Sequence, residues 1–425
     1  MIAPLSAYNL KSDVVLNGIL ELDSSVSFEV PTPKLDPQAL YGVCGEIIEI
    51  LEPHTEADPA AILLTLLTGL GNIMGRNPYF ITDGASQHVN LFTSIVGDSS
   101  SGRKGTSWEN CKGILKAVDP DWISNKVMSG IGSGEGIILQ MKDSHDPMLE
   151  SLCDKRLLIK EGEFAQILQV MSRSGNTVSP MLREAWDGGI LQNMTKNNPM
   201  KASNSLVSLI AHITRAELSR LISTVEMGNG FANRVLWCHS TRSKTLPDGG
   251  SLDPKSLDGQ IGKIKKAIDG IKNREPFQMT RSAKAGTYWH EIYEELTTSK
   301  KGRWGDVTRR GAAQVVRISM IYALLDGRDE VNLSHLKAAE AVWRYCDGSA
   351  RWAFEDHQFS YSAMKLIRAL EHEPMSRAEI TNKVFTRNLS KKEIDEALVE
   401  ITPLLKVKWA AKTDGTVLPH WVLRK

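Results

Sequence analysis

The apolar positions of this chain change their spacing along its length, and each change predicts a different kind of element. Between 36 and 75 they recur at helical intervals: Leu40, Val43, Ile47, Ile50 and Leu51 fall on one face. Ala60–Gly71 is apolar all round, so a buried helix is expected there, and Asp58-Pro59 supplies its start: a cap oxygen, then a proline in the first turn. From 89 to 240 the pattern becomes short apolar runs separated by glycine-rich loops and helical stretches. VNLFTSIV (89–96), NKVMSG (125–130), RLLIKEGEF (156–164), SLVSLIAHIT (205–214) and RVLWCHST (234–241) read as five strands. Strands of this kind, alternating with helices, predict an α/β fold with a mostly parallel sheet covered on both faces.

Residues 243–258 are turn-rich, and the helical spacing then returns. QVVRISMIYALLDG reads as a buried helix stopped by Gly327, and NLSHLKAAEAVWRYC as another capped by Asn332 or Ser334. Helices at 361–371, 376–384 and 390–401, followed by KVKWA, the turn KTDGT and VLPHWVLRK, outline a winged helix. The expected organisation is an extended N-terminal arm (1–35), a helical subdomain (36–80), an α/β core (81–245), a helical region (259–355) and a winged-helix-like domain (356–425).

Composition narrows the partners. A chain of 425 residues exceeds what one core usually serves, so two or three structural units are expected. A net charge of +1 leaves no global basic field, and any nucleic-acid surface has to be local. The five cysteines are scattered without C-x-x-C spacing, which fits reduced thiols and a cytoplasmic location. The start lacks a signal-peptide pattern, and no run of eighteen apolar residues predicts a membrane span.

The residues that carry chemistry follow the strands. After the first comes Gly97-Asp-Ser-Ser-Ser-Gly102-Arg103-Lys104-Gly105-Thr106-Ser107. A glycine loop leading from a buried strand into a helix presents amides to phosphate oxygens, a lysine meets the phosphates and a hydroxyl helps hold Mg²⁺. Against G-x-x-x-x-G-K-[ST], Arg103 occupies the lysine slot and Lys104 comes one place later; Lys104 is taken as the phosphate lysine and Thr106 as the magnesium ligand. The alternative is a flexible Gly/Ser connection. The second strand leads into the glycine-rich Ser129–Gly136, which contains Glu135; the alternative is a glycine-rich turn with a solvated glutamate in the first turn of a helix. The third ends in Glu161-Gly-Glu163, where a carboxylate orients Mg²⁺ and its waters. His212 closes the fourth, where a polar group can sense the terminal phosphate, although a lone histidine at a strand end is more often a satisfied surface or core residue. Arg234 opens the fifth, and its alternative is a pair with a local carboxylate.

Several of these stretches carry a resemblance. EPHTEADPAAILL, NLFTSIVGDSSSGRKGTSW, SGIGSGEGII, EGEFAQIL, AHITRAEL, NGFANRVLW and AVWRYCDGSARW resemble the helicase-like ATPase half of bifunctional primase–polymerase/ATPase proteins of prophages, plasmids and other mobile elements. The resemblance spans about residues 36–355 and extends to RecA- and DnaB-type hexameric motors. It implies a RecA-like P-loop core that takes ATP and Mg²⁺, with Gly97, Gly102, Arg103, Lys104, Gly105, Thr106 and Ser107 around the phosphates. Thr106 and Glu161 would hold the metal. Glu135 would polarise the attacking water, Glu161 or Glu163 would be the strand-end carboxylate that orients Mg²⁺ and its waters, His212 would sense the phosphate, and Arg234 would reach a neighbouring subunit's nucleotide. A homo-oligomeric, hexameric ring working on single-stranded or duplex DNA in replication is implied, with priming supplied by a separate primase or replication protein.

Two local basic regions are candidates for DNA. Lys300, Lys301, Arg303, Arg309 and Arg310 fall within eleven residues around Trp304 and against only Asp306. A cationic loop with an aromatic suits a strand-tracking groove; the alternative is an ordinary solvated connection. The tail from Pro403 holds Lys406, Lys408, Lys412, Arg424 and Lys425 against Asp414, yet the 390–401 helix carries Glu393, Asp395, Glu396 and Glu400, a poor phosphate binder. That domain reads either as a DNA-touching wing or as a protein-docking module, and the second possibility makes a nucleotide-gated initiator or regulator the alternative to a motor.

Overall fold

The computed structural model describes residues 32–99, 101–272, 274–300, 302–354, 361–386, 388–411 and 417–423. Most of the expected arm, 1–31, and Ser100, Lys301, Lys412, Asp414, Arg424 and Lys425 lie outside the described residues. The chain separates into two compact units, one of them Val30–Asp356 and the other containing His357–Lys425.

The first unit is built on a five-stranded, all-parallel sheet. Its strands are β1 (Phe92–Val96), β2 (Val127–Met128), β3 (Arg156–Glu161), β4 (Leu206–Ile213) and β5 (Val235–His239), and they lie in the order β2-β3-β4-β1-β5. β1, β4 and β5 are buried along their whole lengths, which explains why their sequences are apolar runs rather than alternations.

Two clusters cover the two faces. Ile95, Leu158, Ile210, Leu236 and Cys238 face α1 (Gly42–Leu51), α2 (Pro59–Met74), α3 (Lys104–Val118), α8 (Gly311–Leu325) and most of α9 (Leu333–Phe354). Phe92, Val96, Leu157, Ile159, Leu209 and Trp237 face α4 (Gly134–Leu139), α5 (Phe164–Met171), α6 (Val178–Asp187) and α7 (Arg215–Leu221). Segments 36–80 and 259–355 therefore share one core with the sheet.

Local signals set the helix ends. Asp58 Oδ1 accepts from the Ala60 amide at 2.9 Å, with Pro59 at the first position of α2. Asn332 Oδ1 accepts from the His335 amide at 3.1 Å, so Asn332 rather than Ser334 caps α9. Gly327, at φ 67°, ends α8 in the left-handed conformation that a side chain disfavours. Inside, Asn72 of α2 donates to the Leu157 and Leu206 carbonyls at 3.1 Å and accepts from Trp122 Nε1 at 2.8 Å, fixing α2 against β3 and β4.

The connections decide where a ligand can sit. β1 sends the chain through α3 to the far edge strand β2, and β2, β3 and β4 step back toward β1. β4 then crosses over β1 to β5. Chains leaving β1 and β4 therefore depart in opposite directions and on opposite faces, which opens a crevice at their C-terminal ends.

The second unit has its own core, including Leu366, Ile380, Ile394, Leu398 and Ile401. Helices α10 (Tyr361–His372) and α11 (Lys391–Glu400) accompany an antiparallel ribbon of β6 (Leu405–Ala411) and β7 (Val417–Leu423), and Met375–Ser376 pairs with β7. The expected turn at 412–416 lies outside the described residues. Among the described residues, no helix is long and apolar enough to cross a membrane. All five cysteines are free thiols.

Candidate functional site

The crevice between β1 and β4 is occupied by the glycine loop. Gly97 leaves β1 with its amide on the Ile213 carbonyl of β4 at 3.2 Å, and Gly102 returns its amide to the Asp98 carbonyl at 3.2 Å. Neither glycine has room for a side chain: a Cβ on Gly97 would lie 2.3 Å from the Ser240 carbonyl oxygen, and one on Gly102 would lie 2.9 Å from that of Asp98. Ser240, just beyond β5, donates its hydroxyl to the Gly102 carbonyl at 2.8 Å and clamps the loop. The loop then opens α3, whose first amides have no carbonyl within the helix to bond.

Arg103 and Lys104 part ways here. Arg103 is the cap of α3 in the left-handed conformation (φ 44°, ψ 28°), which costs a residue with a Cβ about 1–2 kcal/mol. That one residue absorbs the extra position relative to the standard spacing, so Lys104 becomes the first helical residue. The Arg103 guanidinium turns away to Glu56, which also holds Arg242. Lys104 Nζ turns inward and donates to the Gly97 and Asp98 carbonyls at 2.6 and 2.9 Å. Burial lowers its pKa, and Asp98 and Glu217 act against that shift. Ser107 is buried and donates to the Lys104 carbonyl at 2.7 Å, a helix-internal role. Gly105 is open to solvent, and the Thr106 hydroxyl takes no partner among the described residues.

The acids are distributed along the same C-terminal end. Glu161, at the end of β3, is buried, and its Oε1 accepts from the Gly130 and Ile131 amides at 2.5 and 3.2 Å. The glycine-rich loop after β2 is thus anchored on the β3 carboxylate. Glu163 is exposed and accepts from Gln166 at 2.9 Å. Glu135, in the first turn of α4, accepts from the Thr177 hydroxyl at 3.1 Å. Its strand, β2, is three positions from β1, a separation of about 14 Å at ordinary strand spacing.

His212 is 3 % exposed on β4, directly opposite Ile95 of β1, and its Nε2 has no hydrogen-bond partner. Burial pushes its pKa down to about 3, with the charges of Lys160 and Lys104 adding to the effect, so the imidazole is neutral.

Two of the candidate sets are engaged in contacts within the fold. Arg234 does not project from the first unit. It lies in a short turn before β5, at the opposite end of the sheet from the glycine loop, and is buried. Its guanidinium holds Asp187 Oδ2 and the Gly230 carbonyl, each at 2.5 Å, because Asp187 closes α6 beside it. Three cations of the stretch around Trp304 are paired within the fold. Lys300 pairs with Asp347 at 2.6 Å, Arg309 with Asp306 at 2.6 Å, and Arg310 with Asp187 at 3.2 Å. Trp304 donates to the Asp347 carbonyl at 3.2 Å and lies under Lys300, so its ring is engaged within the fold. Arg303 takes no partner among the described residues, and Lys301 lies outside them.

Sequence reasoning passed over Lys160, Trp108 and Ser240. Lys160 left one signal, a lysine interrupting the apolar run of β3; Trp108 and Ser240 left none, since their roles depend on elements far away in the chain. No family model matches this chain, and no curated protein matches it.

Proposed function

We propose that the C-terminal end of the sheet binds and hydrolyses ATP, and that the first unit is a RecA-like P-loop ATPase. The observation that carries this reading is the glycine loop at the switch point of the parallel sheet, with the Lys104 ammonium drawn into it. The order β5-β1-β4-β3-β2 supports the RecA-like assignment: it sets His212 of β4 between the loop on β1 and the carboxylate on β3. The tight Gly97–Gly102 cradle and the unpartnered His212 nitrogen fit a bound phosphate chain.

The loop amides and the start of α3 receive phosphate oxygens, and Lys104 exchanges two carbonyl partners for them. Thr106 and the remaining oxygen of Glu161 would hold Mg²⁺, which when bound neutralises charge on the phosphates. Glu163 and Glu135 are the carboxylates available to orient a water. The work done with this hydrolysis is proposed to be on DNA, in replication of a mobile element and as a homo-oligomer in the cytoplasm, with the second unit a winged helix.

The decisive measurement is ATP hydrolysis by the full chain at low salt, with and without single-stranded DNA. Lys104→Ala is expected to lower the rate at least about 100-fold with little change in stability. A normal rate in that variant sinks the assignment of the loop.

A second reading has an observation of its own. Lys300, Arg309 and Arg310, three of the cations expected to meet DNA, are held in intramolecular pairs, and α11 presents acids beside an exposed Val399. A nucleotide-gated initiator or regulator that docks a protein suits that surface. It predicts slow hydrolysis indifferent to DNA, whereas a motor predicts strong stimulation.

A further inference from the structure

The first face of the sheet brings a third group to the loop. Lys160 lies directly opposite Ile210 in the pairing of β3 with β4, and His212 is two residues further along β4. Residues opposite one another share a face, as do residues two apart, so Lys160 and His212 point to the same side. That side is the one covered by α3, because Ile210 and Ile95 belong to the cluster containing Trp108, Cys111 and Leu115. Lys160 Nζ sits 5.6 Å from the centre of the Trp108 ring. Lys104 starts the same helix.

Lys160 is half-buried, yet it makes no ion pair or hydrogen bond among the described residues. Its sequence neighbour Glu161 points to the other face and is held by amides. Glu109 and Glu161 attract this ammonium without bonding it, so beside the aromatic wall its donors are open to an anion. The neighbouring imidazole nitrogen of His212 is buried and unpartnered as well.

We propose that Lys160, with His212 beside it, binds the terminal phosphate of a nucleoside triphosphate and so separates triphosphate from diphosphate. This rests on the nucleotide reading of the loop. The argument for the terminal group is positional. The loop and Lys104 belong to β1 and α3, while Lys160 stands two strands away, about 10 Å across the sheet end. His212 lies on the intervening strand. A phosphate chain held at the loop and extended over β4 brings its last group to Lys160, and the neutral imidazole can offer one N–H to it.

The test is calorimetric titration of the full chain with ATP, ADP and inorganic tripolyphosphate, using wild type, Lys160→Met and Lys160→Arg, with unfolding midpoints as a control. Lys160→Met keeps the apolar stem against Trp108. It is expected to weaken ATP and tripolyphosphate about tenfold or more and ADP by less than about twofold, and Lys160→Arg to restore most of the difference. Equal weakening of ATP and ADP, or no weakening of either, overturns the terminal-phosphate role while leaving the loop intact. Wild type that binds none of the three overturns the nucleotide reading and this proposal together. If Lys160→Met does not fold, Lys160→Gln answers the same question.

Discussion

The two ends of one parallel sheet hold their positive charge in opposite ways. At the N-terminal end, Arg76, Arg234, Arg310 and Arg317 gather around Trp186 and Asp187. Arg317 is 1 % exposed and lies 3.5 Å over the Trp186 ring. It donates to Asn90 Oδ1, the Asn90 carbonyl, Gln87 and the Trp186 carbonyl at 2.8 to 3.1 Å. Arg76 spans the Ser205 and Gly188 carbonyls, and Asp187 serves both Arg234 and Arg310. At the C-terminal end, Lys104 bonds only carbonyls, and Lys160 bonds nothing among the described residues. Cations whose donors are spent inside the fold tie strand ends together. Cations left short of acceptors beside the glycine loop are the ones a ligand completes.

The sharpest way to break this contrast is Arg317→Ala. Burial lowers the pKa of this arginine to about 9, which still leaves it charged at neutral pH, and it supplies donors to four acceptors, three of them on buried residues. Its removal is expected to cost about 3–4 kcal/mol of stability in urea unfolding, through unmet acceptors and lost packing on Trp186. A loss below about 1 kcal/mol would show that the N-terminal arginines are not structural ties. Lys104→Ala is the mirror case, in which activity goes and the fold stays.

How much of this was readable beforehand follows from the range of each interaction. The strands were legible because burial on both faces leaves continuous apolar runs, and α2 because Asp58 and Pro59 act within three residues of each other. The loop was legible as glycines between a strand and a helix. The choice between Arg103 and Lys104 was not, since it turns on one left-handed residue and on Glu56, which lies 47 positions upstream. Arg234 was placed in the strand by a single residue too many, and its partner Asp187 is 47 positions before it. Lys160 was visible as an anomaly, but only the register of β3 against β4 says which face it takes. Lys300 and Arg310 looked free because their partners, Asp347 and Asp187, come from other elements.

A smaller effect sharpens the C-terminal end. His212 has its pKa depressed to about 3 in the fold by burial, then by Lys160 and Lys104, against about 6.5 for the free side chain. The unfolded chain therefore binds a proton that the folded one refuses between those two values. The stabilisation is fully present above about pH 6.5 and is lost as pH falls toward 3. His88, lowered to about 4 by burial and the nearby arginines, adds to the same trend over part of the window. His212→Asn removes one of these protons, so its stability should fall less steeply below pH 6.5, by up to about 1.4 kcal/mol per pH unit. Parallel unfolding curves for wild type and variant across pH 4–6 would mean that His212 is protonated in the fold and is not the neutral partner of the two lysines.

The smallest expected effect concerns the stretch around Trp304, where the N-terminal pattern of satisfied charge extends to the surface. Arg309 is 61 % exposed and paired with Asp306 one helical turn away. A solvated pair at this spacing contributes no more than about 0.5 kcal/mol, so Arg309→Ala should leave the unfolding midpoint almost unchanged. The informative readout is single-stranded DNA binding at two salt concentrations. A residue engaged with its own carboxylate releases few counterions when DNA arrives, and affinity should change by less than about twofold with the same salt slope. A drop beyond about tenfold, with a shallower slope, would mean that DNA displaces Asp306 and that a paired surface cation is available to a ligand after all. The contrast would then hold only for groups buried at the sheet ends, where Arg317 cannot leave its acceptors and Lys160 has none to leave.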